Sequence, residues 1–200
     1  MLRSFVCTNL QKTNTVTRLR NYQTQSSTTR FSPTILEAAL ATSAAPTYFS
    51  DITIGGSKFV DGAIGANNPT AVLEEEACDI WCPDTRNLPP LVKCFISIGT
   101  GHLGYRSVND KGWKHMIKTL EKEATQTEET NRQFMSRWQD YVIRGRCFRF
   151  NVPRGVEEVG IAEFEEQDLI QAATTAYLDE RETIVRVRTC VENLRLRQCT

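Results

Sequence analysis

The residues best placed to do chemistry lie between Ser32 and Pro69. Lys58-Phe59-Val60 reads as a strand, and Asp61 stands where that strand ends. Gly62 and Ala63 follow, and Asn67-Asn68-Pro69 comes a few residues later. The order is a strand end, one carboxylate, a glycine turn and a capped helix, with Asn67 or Asn68 as the cap and Pro69 opening the first turn. Gly62 is read as supplying a backbone conformation closed to bulkier residues. Taken alone, Asp61-Gly62 also reads as a plain Asp-Gly turn, the commonest use of that dipeptide. Upstream, Ala41-Thr42-Ser43-Ala44-Ala45-Pro46-Thr47-Tyr48-Phe49 is a run rich in small residues that lets a helix end approach neighbouring backbone.

Other chemistries are poorly supplied. A nucleophile elbow needs glycines on both sides of its serine to relieve crowding at a sharp turn. Gly55-Gly56-Ser57-Lys58-Phe59 lacks the closing glycine. Gly99-Thr100-Gly101 has no Lys-Ser/Thr pair to make it a phosphate loop. A Ser-His-Asp triad would need His102 or His115, the only histidines. The seven cysteines are odd in number and several sit in apolar runs, as expected of buried reduced thiols. Cys78 and Cys82 could share a helix face, but no second Cys or His pair lies near them to complete a zinc site.

The small-residue run, Asp61-Gly62-Ala63 and Asn67-Asn68-Pro69, in that order and spacing, resemble the second half of a patatin-like phospholipase domain. The resemblance is clearest over residues 31–101. It implies an α/β fold, a three-layer sandwich with a mainly parallel sheet whose N-terminal part is missing. Residues 1–200 would then be a partial domain, with 102–200 giving C-terminal helices and the last strand. It implies that Asp61 is the proton acceptor of a Ser–Asp pair acting on a lipid or phospholipid acyl ester, without cofactor or metal. Ser43, Ala44, Ala45, Pro46, Asn67, Asn68, and Gly99 and Gly101 of the Ser97-Ile98-Gly99-Thr100-Gly101 turn would support the site. The family uses no histidine, so His102 and His115 are read as surface residues. One departure matters: neither the family's G-x-S-x-G nucleophile nor its glycine-rich oxyanion loop occurs in this sequence. The expectation is a base without its nucleophile, completed by a missing N-terminal half, and no esterase activity from this chain alone. A non-catalytic lipid- or protein-binding remnant and an unrelated α/β binding domain are the alternatives.

The elements that must position these residues follow from pattern. Phe5-Val6-Cys7 is a short buried strand, consistent with a truncated start. Thr15–Tyr22 alternates as a second strand with one wetter face. Its Arg18 and Arg20 either meet anionic headgroups or are simply solvated. Residues 23–30 read as a loop. Ser32 is read as the cap of a helix that begins at Pro33, carries Ile35, Leu36, Ala39 and Leu40 as its apolar stripe, and stops at Pro46. Tyr48 and Phe49 are placed in the core or in an acyl pocket. Leu91–Ile98 is a near-continuous apolar strand, as in a sheet covered on both faces. Residues 113–141 are helical, with one stripe of Trp113, Met116, Ile117 and Leu120 and another of Phe134, Met135, Trp138 and Tyr141. The polar residues 121–132 between them suggest a break or an exposed turn. Cys147–Val152 is the last strand, and 167–178 and 180–196 are helices. In the latter, Ile184, Val187, Val191 and Leu194 face inward and Arg186, Arg188, Arg195 and Arg197 outward.

At 40% apolar and 24% charged residues the composition is that of a soluble globular protein. A formal net charge of zero argues against nucleic acid as a partner, since phosphate binding requires an excess of Lys and Arg. No run of about 18 apolar residues suggests a spanning helix, and the start is not a convincing signal peptide. The chain is therefore read as cytoplasmic, with peripheral membrane contact left open.

Overall fold

The computed structural model describes residues 2–24, 31–46, 48–101, 114–157, 159 and 163–195, with backbone alone at 114–125 and 164. Thr47, most of the 23–30 loop, His102, Trp113, Arg197 and Cys199 lie outside the described residues, as do the side chains of His115, Met116, Ile117 and Leu120. The chain divides into two units: one runs to Leu88 and includes Thr125–Asn131, and the other holds the remainder.

Strand β1 (Phe5–Leu10) is central in the first unit. One edge pairs with β2 (Thr15–Arg20), from Phe5↔Arg20 to Leu10↔Thr15. After β3 (Ile52–Ile54), β4 (Ser57–Asp61) takes the other edge, placing Asp61 opposite Thr8. The sheet order is β2-β1-β4-β3, and every pairing is antiparallel. This departs from the mainly parallel sheet expected. The reason is connection length: parallel neighbours need a crossover of a dozen or more residues, and β1 reaches β2 through four. β3 reaches β4 through Gly55-Gly56, both at positive φ (+56° and +77°), as a tight hairpin turn requires.

Helix α1 (Ile35–Thr42) lies against this sheet. Its cap is Thr34, not Ser32: the Thr34 hydroxyl accepts from the Glu37 amide at 3.2 Å, and the Glu37 carboxylate accepts from the Thr34 amide at 2.7 Å. Thr34-x-x-Glu37 is a reciprocal capping pair, and it outcompetes Ser32-Pro33. The helix ends at Thr42, well before Pro46. Its buried side is also not the expected one. Ala41 is fully buried and Ala38 packs on the core, whereas Ile35, Leu36 and Leu40 face out, Ile35 at 91% exposure. Only the small face lets the helix come close enough for the Thr8 hydroxyl to reach the Ala41 carbonyl at 3.1 Å. Leu19, Ile54 and Phe59 complete the core, with Phe31 edge-on to Phe59 at 5.0 Å.

The remaining helices of the first unit begin with α2 (Ala63–Ala66), a distorted single turn, and continue with α3 (Thr70–Trp81). Among the described residues, parallel pairing occurs in the second unit, between β5 (Phe95–Ile98) and β6 (Cys147–Phe150). β5 is shorter than expected because Pro89–Leu91 forms a 3-10 turn, and Ile98 is 78% exposed, so this strand is not covered on both faces. α4 (Lys114–Arg137) runs unbroken through the polar residues 121–132, and α5 (Gln139–Ile143) follows it. Phe134 and Trp138 are buried as expected; they stack on each other, and Phe95 packs against both with its ring tilted. α6 (Gln167–Asp179) and α7 (Arg181–Arg195) close the described chain. In α7 the buried side is centred on Thr183 and Cys190, and Leu194 is exposed. Arg186, expected outward, donates to the Arg149 carbonyl at 2.5 Å and lies over the Phe150 ring.

Candidate active site

Asp61 is fixed by the run of small residues upstream. Its amide donates to the Ala44 carbonyl at 3.0 Å, and the Gly62 amide donates to the Thr42 carbonyl at 3.3 Å. Ala44 and Ala45 are buried, which brings those carbonyls within reach of the strand end. The Thr42 hydroxyl reaches the Cys7 carbonyl at 2.5 Å, so the same segment is also tied to β1. The Asp61 carboxylate is half-committed. Its Oδ1 accepts from the Ala63 amide at 2.8 Å, closing a local Asp-Gly turn, and Oδ2 accepts no hydrogen bond among the described residues. The turn and an available carboxylate oxygen therefore coexist.

Gly62 is required for a different reason from the one expected. Its φ is −66°, open to any residue, but a Cβ there would lie 2.1 Å from the Cys7 carbonyl oxygen. Close backbone approach is what excludes a side chain. The left-handed conformation belongs to Gly65, at φ +96°.

The Asn-Asn-Pro segment behaves as a cap from just outside the helix. Asn68 Oδ1 accepts from the Thr70 amide at 3.2 Å and from its hydroxyl at 2.6 Å, which starts α3. The amide groups of Asn67 and Asn68 donate to the hydroxyl and carbonyl of Thr127 in α4, at 3.0 and 3.2 Å.

A cleft of about 550 Å³ opens beside Asp61, a size suited to a small ligand. Asp61, Gly62, Ala63 and Asn67 line it, together with Arg3, Cys7, Tyr22, Thr42, Glu76 and Trp81, over an apolar floor from Phe5, Val6, Leu73 and Ile80. Ser43, Ala44, Ala45, Pro46 and Asn68 are not in its wall. Phe49, placed in the core or an acyl pocket by its sequence, is 68% exposed and lines no part of this cleft. Gly99 and Gly101 belong to the second unit, where their amides donate to the Phe150 carbonyl and to Asn151 Oδ1, each at 2.8 Å.

Among the described residues of the cleft wall, none is set up as a nucleophile. The Thr42 and Tyr22 hydroxyls are donated to Cys7 O and Glu76. Ser4 sits in extended backbone bonded on both sides to Asn21, which is not a strand-to-helix elbow. Burial pushes the Cys7 thiol above its usual value, helped by Glu76 and opposed by Arg18 and Arg20, so the reactive thiolate is disfavoured.

Glu76 is the feature that pattern reading missed. It is 1% exposed, yet it sits on α3 in a run of three glutamates that reads as a solvated face. Arg20 grips it at 2.6 Å, Tyr22 donates to it at 2.8 Å, and Arg18 reaches it at 3.1 Å. Arg18 also bonds Glu75. The two arginines are thus neither headgroup ligands nor solvated: they are occupied by α3. The signal in the sequence is Arg18-x-Arg20-x-Tyr22, three polar groups at period two on one face of a strand.

The Patatin family model, for patatin-like phospholipases, matches residues 3–74, a span that holds β1 to β4, α1, Asp61 and the Asn-Asn-Pro segment. Residues 3–74 belong to the patatin-like phospholipase family. The patatin-like segment has curated relatives. Phospholipase A I of Arabidopsis thaliana is 39% identical over 82 residues, covering 41% of this chain and 6% of the relative. The calcium-independent phospholipase A2-gamma of Oryctolagus cuniculus is 30% identical over 151 residues, and that of Homo sapiens 31% over 153. Each of these two alignments takes in 73% of this chain and 18% of the relative. The chain thus spans less than a fifth of the length of these relatives.

Proposed function

We propose that Asp61 is the proton acceptor of a Ser–Asp lipid acyl hydrolase of the phospholipase A type, acting on a serine that lies outside these 200 residues. The observation that carries this is the state of its carboxylate: backbone and Oδ1 are pinned, and Oδ2 is unbonded among the described residues beside a cleft. Asp61 takes the proton of the serine hydroxyl as the oxygen attacks the ester carbonyl. An acyl-enzyme forms as Asp61 returns the proton to the leaving alcohol; Asp61 then takes a proton from water as it attacks the acyl-enzyme and gives it back to the serine oxygen as the fatty acid leaves. A carboxylate is a weak base toward a serine hydroxyl. It works only with a short fixed contact and an oxyanion site, each of whose donors is worth on the order of 100-fold in rate. The complete domain would carry the three-layer arrangement and further parallel strands, and the enzyme would meet its lipid from the cytoplasmic side as a peripheral protein.

The 200-residue chain is expected not to hydrolyse a p-nitrophenyl acyl ester. A longer product that adds the serine segment is expected to do so, and Asp61→Asn should lower its kcat by roughly 10²–10⁴. Hydrolysis by the short chain, or full activity of the longer Asp61→Asn product, would overturn the assignment. One observation favours the non-catalytic alternative: Ile35, Leu36 and Phe49 are each at least 68% exposed, an apolar surface able to meet lipid or protein. Liposome flotation by a folded monomer, with no hydrolysis from any product, would support it.

A further inference from the structure

We propose that the Arg3 guanidinium, held between the Tyr22 and Trp81 rings in the wall of the Asp61 cleft, binds the phosphate of a glycerophospholipid and so selects phospholipid over neutral acylglycerol. The proposal rests on the acyl-hydrolase reading of Asp61 for the ester end of that ligand.

The Arg3 Cζ lies 5.7 Å from the Tyr22 ring centroid and 6.0 Å from that of Trp81. Cation–π attraction at these distances draws the guanidinium toward the two rings without using its N–H donors. The other arginines near the cleft are occupied: Arg18 and Arg20 pair with Glu75 and Glu76. Glu76, the buried carboxylate of the cleft wall, is neutralised by them and accepts from Tyr22 as well. Among the described residues no carboxylate forms an ion pair with Arg3. A planar cation with uncommitted donors is suited to two oxygens of a phosphate, and arginine binds these in bidentate fashion better than lysine does.

The spacing also fits. Extended backbone continues upstream of β1, where the Asn21 amide donates to the Ser4 carbonyl, so Arg3, Phe5 and Cys7 fall on one face. Gly62 is packed on Cys7, and Asp61 pairs with Thr8. Arg3 is therefore about 16 Å along the strand from the residue opposite Asp61. In a glycerophospholipid the ester carbonyl and the phosphorus are five bonds apart, about 6 Å. The extended Arg3 side chain and the contacts at each end span the rest. Between the two ends the floor is Phe5, Leu73 and Ile80, which suits a glycerol backbone and the first acyl methylenes.

Binding to the 200-residue chain tests this without any need for hydrolysis. Monomeric dihexanoylphosphatidylcholine, dihexanoylglycerol and inorganic phosphate would each be titrated calorimetrically. The expected result is saturable binding of the phospholipid that weakens at least tenfold in Arg3→Gln and less in Arg3→Lys. Dihexanoylglycerol should bind both forms alike, and inorganic phosphate much more weakly than the phospholipid. Trp81→Leu, which removes one wall of the clamp, gives a second variant with the same expected direction. Unchanged phospholipid affinity in Arg3→Gln and Trp81→Leu would overturn the proposal, and phosphate binding as tight as the lipid would overturn the lipid as the source of the phosphate. Failure of the catalytic reading would show only in the hydrolysis experiment, so the two can fail separately.

Discussion

Gly62 rests directly on the Cys7 carbonyl. A Cβ at Gly62 would fall 2.1 Å from that oxygen and 2.5 Å from its carbon, so β1 and the residue after Asp61 are at the closest spacing their backbones allow. Gly62→Ala must therefore force backbone apart and carry Asp61 with it. The expected cost is about 1–3 kcal/mol, as for overpacking of a close-packed core. Chemical denaturation would measure it. Gly56→Ala is the contrast: its Cβ would meet nothing within 4 Å, and its cost comes only from φ +77°, about 1–2 kcal/mol.

The Asp61 carboxylate holds a turn as well as being the proposed base, and two substitutions separate these roles. Asparagine keeps an acceptor for the Ala63 amide, so Asp61→Asn should fold with nearly unchanged stability. Asp61→Ala leaves that amide without its partner and should cost about 1 kcal/mol. Both should abolish proton acceptance. Urea midpoints that fell equally for the two variants would show that the Asx turn contributes nothing.

The site was legible where the chain uses rigid, local signals. Gly55-Gly56, Asp61-Gly62 and Asn68-Pro69 each dictate backbone over a few residues, and the structure puts a hairpin, a turn and a helix start there. Packing of α1 was not legible from hydrophobicity. Its large residues point outward, because the distance of the helix from the sheet is set by Ala41, Ala44 and the Thr8 hydroxyl rather than by apolar area. Glu76 was hidden for a related reason. A carboxylate in a glutamate run looks solvated until the strand bearing Arg18, Arg20 and Tyr22 is placed beside it, and that contact is more than fifty residues away in sequence.

Glu76 should make the first unit acid-sensitive. Burial alone would raise its carboxyl, but the hydrogen bonds from Arg20 and Tyr22 and the charges of Arg20 and Arg18 outweigh burial and hold it below the usual carboxylate range. A depressed folded-state value means its contribution is present above the unfolded value near 4.3 and is lost as pH falls through the folded one. Glu76→Gln leaves two guanidinium groups around an uncharged amide and should cost about 3–5 kcal/mol at neutral pH. Its stability should also fall less steeply in acid than that of the parent. Parallel acid titrations of stability would refute this assignment of the acid dependence.

Tyr22 supplies the alkaline counterpart. Burial is the main cause that pushes its phenol up to about 12, with the hydrogen bond to Glu76 and the Glu76 charge adding to it and Arg20 opposing. Because the folded-state value is raised, the stabilisation is complete below the unfolded value near 10 and is lost as pH rises through about 12. Tyr22→Phe should remove a tyrosinate absorbance component that titrates near 12 and should cost about 1 kcal/mol at neutral pH, the usual worth of one hydrogen bond. In Glu76→Gln the same component should move down toward 10, because the negative charge that resists ionisation of the phenol is gone while Arg20 remains. If that component stayed near 12 in Glu76→Gln, burial alone would account for it and the electrostatic coupling between Tyr22 and Glu76 would be refuted.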